Sequence, residues 1–162
     1  MSGLDVTLKS VLSDRFIANA SRIRELAAAL SEARFWQKPF TFGNSFGHLV
    51  LHLTGNLNYY IGAQIANNGY IRDRPREFTD ASPPSKEEAL RNFDSAIAMV
   101  LKTVREQSSN DWSREYSGVG TNAPNRLAMV MQCDSHVQHH IGQMIYIVNE
   151  SQRRSDAGSA PK

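Results

Sequence analysis

The sequence contains a single cysteine, Cys133, and no long hydrophobic run. One cysteine excludes an intramolecular disulfide and is typical of proteins in a reducing compartment. A membrane-crossing helix needs about 20 consecutive apolar residues, and no segment approaches that length. The first residues include Asp5 and Lys9 and lack the apolar stretch of a secretory signal. We therefore expect a cytoplasmic protein with no membrane partner.

An excess of one charge is also absent, because 18 lysines and arginines stand against 16 aspartates and glutamates. The basic residues are scattered and form no stripe along a helix, so nucleic acid is not expected as a partner. The chain also lacks a glycine-rich phosphate loop, a G-x-S-x-G sequence and a close pair of acids on a shared face. These absences argue against kinases and against the common hydrolase mechanisms.

Apolar residues recur at steps of three and four along four segments, the pattern of amphipathic helices. Of the 162 residues, 41% are hydrophobic, which suits one core rather than two. The predicted helices are Val6–Arg34, a segment from an Asn44 or Ser45 cap to Asn68, one from a Ser85 cap to Gln107, and one from a Thr121 or Asn122 cap to Glu150. Because each helix must bury one apolar face, the predicted fold is all-α, an antiparallel four-helix bundle. The bundle domain is expected at residues 1–150, followed by a flexible tail at 151–162.

Two features interrupt this regular pattern. Gly55 and Gly62 lie inside the second predicted helix, where each costs about 1 kcal/mol relative to alanine. We expect them to allow the close approach of a neighbouring helix. The connection Tyr70–Pro84 is long and contains three arginines. We expect a solvated surface loop there, with a functional or mobile segment as the alternative.

Three of the five histidines lie within Asp134–Asn149. On a helix, His136 and His140 are one turn apart on nearly the same face, the spacing with which one helix offers two imidazoles to a metal ion. At about 100° per residue, both histidines lie at the edge of the apolar face of their helix. His52 occupies the equivalent edge of the second helix. These three histidines are therefore the candidate ligands of one metal site.

Three neutral imidazoles suit Zn²⁺, and also Ni²⁺, Co²⁺ or Fe²⁺, and they leave a coordination position for water or substrate. A bound water could ionise near neutral pH at such a site, and a bound thiol would be held as thiolate. The alternative is that His52, His136 and His140 are edge histidines hydrogen-bonded to backbone or water. His48 and His139 turn further outward and are second choices as ligands.

Five other residues lie near the candidate ligands in sequence. Cys133 turns inward one turn before the histidine pair, and a buried, unreactive thiol is favoured over a ligand or a nucleophile. Asn56 and Gln143 could orient the ligands or hold a water, or they could form hydrogen bonds between helices. Tyr59 or Tyr60 could face the open side of the metal, although core packing is favoured for Tyr60.

Two segments resemble the DinB-like proteins. Residues 44–57, NSFGHLVLHLTGNL, resemble the N-S-I-x-x-L-x-x-H-L-x-G-N-L helix of that family, and residues 136–144, HVQHHIGQM, resemble its H-x-x-x-H-x-G-Q-I segment. The resemblance extends over essentially the whole chain in order and length. It implies a four-helix bundle that binds a divalent metal through three histidines, which fall on His52, His136 and His140.

Members of this superfamily include S-transferases and an isomerase that use low-molecular-weight thiols such as bacillithiol, mycothiol or glutathione. The resemblance therefore implies a metal-dependent thiol S-transferase that acts on a small electrophile. It also implies a divalent metal as cofactor, a thiol as co-substrate and a homodimer as the assembly. From the imidazole ligands we expect the metal to be Zn²⁺ or Ni²⁺. The alternative hypothesis is a non-catalytic metal-binding bundle that serves as a binding or assembly module. The sequence does not discriminate the two, because no catalytic acid or base beyond the metal can be identified.

Overall fold

The computed structural model describes residues 3–158, which contain seven α-helices and one π-helical turn. The helices are α1 (Gly3–Ala28), α2 (Glu32–Trp36), α3 (Phe46–Leu57), α4 (Arg76–Thr79), α5 (Lys86–Glu106), α6 (Ser109–Ser113) and α7 (Arg126–Gly158), and the π-helical turn Asn58–Ala63 continues α3. These residues contain no β-strand, and the nearest approach to one is an isolated bridge between Glu115 and Asn125. The predicted all-α four-helix architecture is confirmed.

The four long helices form a ring in which α1 and α3 each pack against both α5 and α7. Paired residues give the directions of the helices. Arg15 of α1 contacts Asp134 of α7, and Asn19 contacts Gln138 four residues further along. Because both members of the second pair lie further along the chain, α1 and α7 run parallel.

Helix α3 also runs parallel to one neighbour, α5, so the predicted antiparallel arrangement is wrong for these two pairs of neighbouring helices. Thr54 and Asn92 line the same cleft, and Gly62 lies beside Met99, so both helices advance together. Parallel neighbours cannot be joined by a short turn, since the chain must first return along the length of the bundle. The long connection between the π-helical turn and α5 runs back along the bundle and contacts α3 through α4.

The first predicted helix ends earlier than expected. Helix α1 stops at Ala28, and Ser31 begins the separate helix α2, its hydroxyl accepting a hydrogen bond from the backbone N–H of Arg34. Serine is favoured at amino-terminal caps because its hydroxyl accepts a hydrogen bond from a free backbone N–H of the first turn. Inside a helix the same hydroxyl competes with the backbone hydrogen bonds. The prediction of one helix over Val6–Arg34 is therefore wrong at its carboxyl end.

Two of the predicted caps are confirmed and a third is wrong. Ser45 caps α3 and Ser85 caps α5. At the start of α7, the side chain of Asn125 accepts the backbone hydrogen bond that a cap receives, so the predicted cap at Thr121 or Asn122 is too early. Pro124 disfavours helical conformation at the preceding residue, Ala123, so the helix begins only after the proline.

The carboxyl ends of two helices also differ from the prediction. Helix α3 and its π-helical turn end before Asn68, whereas α7 continues past Glu150. Residues 151–158 of the predicted flexible tail are helical, and residues 159–162 lie outside the described residues. Apolar periodicity marks the buried face of a helix but not its last turn, which explains errors of this kind.

The core lies between the four long helices and includes large side chains that are fully buried: Phe16, Phe35, Phe46, Phe93, Leu49 and Met144. Each buried side chain of this size contributes about 1.5–3 kcal/mol by leaving water. None of the helices within residues 3–158 combines the length and the apolar character that a membrane crossing requires.

Candidate metal centre

Three histidines from two neighbouring helices meet between α3 and α7. His52 lies in α3, and His136 and His140 lie one turn apart on α7. One ring nitrogen of each histidine lies within 4.8 Å of the others. His52 and His140 are buried and His136 is half-buried. The structure thus brings together the three histidines that helical spacing selected.

A carboxylate orients the His52 ring. Its Nδ1 lies 2.8 Å from Oε2 of Glu77, and Arg72 holds the same carboxylate through Nε at 2.7 Å and Nη2 at 2.9 Å. Burial raises the pKa of Glu77, but the hydrogen bonds from His52 and Arg72 outweigh it and leave the pKa below its usual value. An ionised carboxylate only accepts hydrogen bonds, and its 2.8 Å contact with Nδ1 of His52 is shorter than the 3.3 Å contact of Nδ1 with Nη2 of Arg72. We therefore assign the proton of His52 to Nδ1, which leaves a lone pair on Nε2.

An amide orients the His140 ring. Its Nδ1 lies 2.8 Å from Oε1 of Gln143, whose amide nitrogen lies 3.2 Å from Nε2 of His139. In this arrangement Nδ1 of His140 donates, and the amide donates to His139. Nε2 of His140 is then a buried lone pair with no hydrogen-bond partner among residues 3–158. A buried polar atom without a partner is costly, and a cation would satisfy it.

The third histidine faces the other two. Nε2 of His136 lies 3.0 Å from Nε2 of His52. Burial, together with the nearby His140 and His52, lowers the pKa of His136 to about 4. Burial also lowers the pKa of His140, against the opposing hydrogen bond from Gln143. His136 and His140 are therefore neutral at pH 7, the form in which imidazole binds a metal.

This donor set could hold a metal ion. Imidazole nitrogens suit Zn²⁺, Ni²⁺, Co²⁺ and Fe²⁺. Two of the three rings are oriented through Nδ1 by other side chains, as is usual for histidines that bind metal through Nε2. Three protein ligands leave at least one coordination position for another molecule.

The two second-choice histidines lie outside this set. Nδ1 of His48 lies 2.9 Å from the hydroxyl of Ser45, and its ring packs edge-on against Trp36, so His48 belongs to the start of α3. His139 is exposed, and its hydrogen bond is to Gln143. Gln143 is hydrogen-bonded to the candidate ligand His140, on its own helix, and not across to another helix within residues 3–158.

The sequence analysis missed Arg72 and Glu77. Their side chains are only 9% and 7% exposed, although both lie in the connection Tyr70–Pro84 that we expected to be a solvated loop. That expectation is wrong for these residues, because the chain forms α4 against α3 and turns them inward. An acid in a polar segment has no periodicity that marks it as buried. The available signal was the length of the connection, which is typical of a functional segment or a crossover.

The other residues singled out near the site have mainly structural surroundings. Cys133 is buried, and burial raises its pKa to about 12 against the opposing charge of Arg72. Tyr60 packs its ring 5.9 Å from the Arg72 guanidinium, and its hydroxyl donates to the carbonyl of Gly120 at 3.3 Å. Asn56 is buried, and its Oδ1 has no hydrogen-bond partner in the described part of the chain.

Comparisons with known proteins agree with this architecture. The sequence profile of the DinB superfamily matches residues 15–144. A crystal structure described as the conserved protein of locus from Enterococcus faecalis superimposes with a TM-score of 0.71 at 15% sequence identity. The alignment covers 87% of this chain and 95% of that chain, a likeness of fold. No curated protein matches the sequence.

Proposed function

Since the chain belongs to the DinB superfamily, we propose that it is a divalent-metal-dependent enzyme, specifically a thiol S-transferase that acts on a small electrophile. His52, His136 and His140 are its metal ligands in this proposal. The observation that carries it is the buried Nε2 of His140, which has no partner among the described residues and faces the other two rings. A cation gives this atom the partner that no protein group within residues 3–158 supplies.

The charges around the histidines favour an anionic ligand. His136 and His140 are neutral at pH 7, and Glu77 is paired with Arg72. The protein therefore does not cancel the charge of a divalent cation, which is free to attract an anion. A thiol coordinated by such a cation is held as thiolate at neutral pH, and this is the chemistry that the metal supplies. The chain's own residues orient the ligands and keep them neutral.

The thiol must come from outside the protein. Cys133 is the single cysteine of the sequence, it is buried, and its pKa is raised to about 12. It is therefore protonated at neutral pH and is a poor nucleophile. The half-buried His136 is the ring of the three that is partly exposed to solvent. These features support a low-molecular-weight thiol as co-substrate, and we expect bacillithiol, mycothiol or glutathione.

Metal content is the first test. Elemental mass spectrometry on tag-free protein should find about one equivalent of a transition metal, with Zn²⁺ or Ni²⁺ expected from the ligand set. His140→Ala should lose it. His139→Ala is the matched control, because His139 is exposed on the same helix and should leave the metal in place. Absence of metal from the wild-type protein, even after reconstitution with Zn²⁺ or Ni²⁺, would remove the proposal.

Activity is the second test. The metal-loaded protein is screened with the three thiols and a chromogenic aromatic electrophile, and formation of the carbon–sulfur bond is followed by absorbance. Metal binding without turnover or thiol binding would favour the alternative, a bundle in which the metal serves binding or assembly. Size-exclusion chromatography with light scattering tests the predicted homodimer in the same samples, and a cytoplasmic location stays a prediction.

A further inference from the structure

The segment that returns along the bundle supplies part of the metal centre, and we propose that Glu77 is a positioning residue that holds His52 for metal binding. We further infer that Gly55 keeps open the space that the Glu77 carboxylate occupies. This inference rests on the proposed metal site, and it concerns residues that no histidine motif contains.

Both oxygens of the Glu77 carboxylate are engaged. Oε2 lies 2.8 Å from Nδ1 of His52 and 2.9 Å from Nη2 of Arg72, and Oε1 lies 2.7 Å from Nε of Arg72. The two planar groups form a bidentate pair, which fixes the direction of the carboxylate as well as its position. Held in this way, the carboxylate fixes the tautomer and the rotation of the His52 ring.

Gly55 explains how a carboxylate reaches the flank of a helix. A Cβ placed on Gly55 would overlap Oε1 of Glu77 and lie 2.9 Å from its Cδ. Gly55 follows His52 by one turn of α3, so the carboxylate lies where a side chain would otherwise stand. We expected this glycine to admit a neighbouring helix. What it admits is the side chain of Glu77 from the short helix α4.

A simpler role for Glu77 must be separated from this one. Glu77 could serve only as the ion-pair partner that attaches the connecting segment to the bundle through Arg72. That role predicts loss of stability when the carboxylate is disturbed, with no separate effect on metal affinity. A positioning role predicts weaker metal binding in a protein that is still folded. Measuring both quantities on the same variants therefore decides between them.

The structure offers a matched pair of glycine variants. Gly55→Ala and Gly142→Ala each add one methyl group to a helix interior shortly after a candidate ligand. A Cβ on Gly142 meets nothing within 4 Å, whereas one on Gly55 meets the Glu77 carboxylate. Because that carboxylate ends a flexible side chain, it can move aside without unfolding the helix. Gly55→Ala should therefore separate the carboxylate from His52 in a folded protein.

Zn²⁺ is the probe, and its dissociation constant is measured by competition with a chromophoric chelator. Gly55→Ala should raise the constant about 10–100-fold, the usual effect of losing a partner that orients a ligand. Glu77→Ala, which removes the acceptor for Nδ1 of His52, should have the same effect. Gly142→Ala should leave the constant unchanged. The metal-free melting temperature of Gly55→Ala should fall only slightly, because the better helix propensity of alanine offsets part of the cost of displacing the buried carboxylate.

A second readout does not depend on metal. Long-range ¹⁵N–¹H correlation of the metal-free protein reports which ring nitrogen of His52 carries the proton. The wild type should show the proton on Nδ1, and Gly55→Ala should show a mixture of tautomers. A wild-type spectrum with the proton on Nε2 overturns the inference, whether or not the protein binds metal.

The two proposals fail in different ways. If the wild type does not bind Zn²⁺, the proposed function fails, and the tautomer of His52 alone then decides the contact with Glu77. If the wild type binds Zn²⁺ and both Gly55→Ala and Glu77→Ala bind it equally well, the positioning role is overturned and the metal site stands. Weaker binding that is explained by the unfolded fraction of the variant at the assay temperature also overturns it, because that result marks a structural ion pair.

Discussion

Nε2 of His52 and Nε2 of His136 lie 3.0 Å apart, although 84 residues separate the two histidines in the sequence. Glu77 requires His52 to present a lone pair at this point, so His136 is the donor of the hydrogen bond between them. One proton thus lies between the two Nε2 atoms, at a place where a cation could instead accept a lone pair from each ring. Metal binding through Nε2 of His136 would therefore require this proton to leave.

The folded protein should be stabilised by Zn²⁺. A ligand that binds only the folded state adds roughly 2.7 kcal/mol at a free concentration 100 times its dissociation constant. Thermal unfolding with added Zn²⁺ and with a chelator measures this difference. The shift should vanish in His140→Ala, whose buried Nε2 is lost, and persist in His139→Ala. Equal shifts in both variants would show that Zn²⁺ binds somewhere else.

Cys133 should resist alkylation in the native state. Burial raises its pKa to about 12, so the reactive thiolate is scarce at pH 8, and the side chain is also shielded from reagents. Iodoacetamide labelling followed by intact mass should be slow in buffer and fast in denaturant. The labelling rate should rise with pH up to the onset of unfolding. Rapid native labelling at pH 7 would contradict the buried environment and reopen a nucleophilic role.

Asp134 should contribute to stability by joining α7 to α1. It is buried and accepts hydrogen bonds from Nε of Arg15 at 2.6 Å and Nδ2 of Asn19 at 2.9 Å. Asp134→Ala leaves the buried Asn19 without this acceptor, which costs about 1–3 kcal/mol. The half-exposed Arg15 can turn to water and adds little to the loss.

Urea unfolding measures the effect of Asp134→Ala. Asp14→Ala is the control, because Asp14 is exposed on α1 and accepts only a long bond of 3.4 Å from Ser10. Its free energy of unfolding should stay within about 0.5 kcal/mol of the wild type. Equal losses in the two variants would mean that the buried hydrogen bonds of Asp134 stabilise the protein no more than the exposed carboxylate of Asp14 does.

Alanine should have opposite effects at two helical glycines. A Cβ on Gly47 would lie 2.9 Å from Cε1 of Phe35 and overlap the ring of Trp36. Overpacking of this kind costs about 1–3 kcal/mol, more than the gain in helix propensity. Gly142→Ala meets no neighbour and should gain about 0.5–1 kcal/mol. Chemical unfolding of both variants measures whether each substitution raises or lowers the free energy of unfolding. Stabilisation by Gly47→Ala would show that the rings of Phe35 and Trp36 move aside freely.

The sequence by itself determined the four apolar faces and, through them, the three histidines. Helical geometry sets the angle between any two residues on one helix, so the relation of His136 to His140 follows from spacing alone. It also determined two of the amino-terminal caps, Ser45 and Ser85, because a cap depends on residues within one turn. These features are local, and local rules are enough to predict them.

Only the tertiary structure decided that Glu77 and Arg72 belong to the centre. Their burial depends on the parallel course of α3 and α5, which sends the connecting chain back past His52. Periodicity within a segment contains no information about the direction of a distant helix. The purpose of Gly55 stayed hidden for the same reason, since the atom that fills its space comes from another part of the chain. The positions of these residues depend on long-range packing, that is, on contacts that no local sequence pattern specifies.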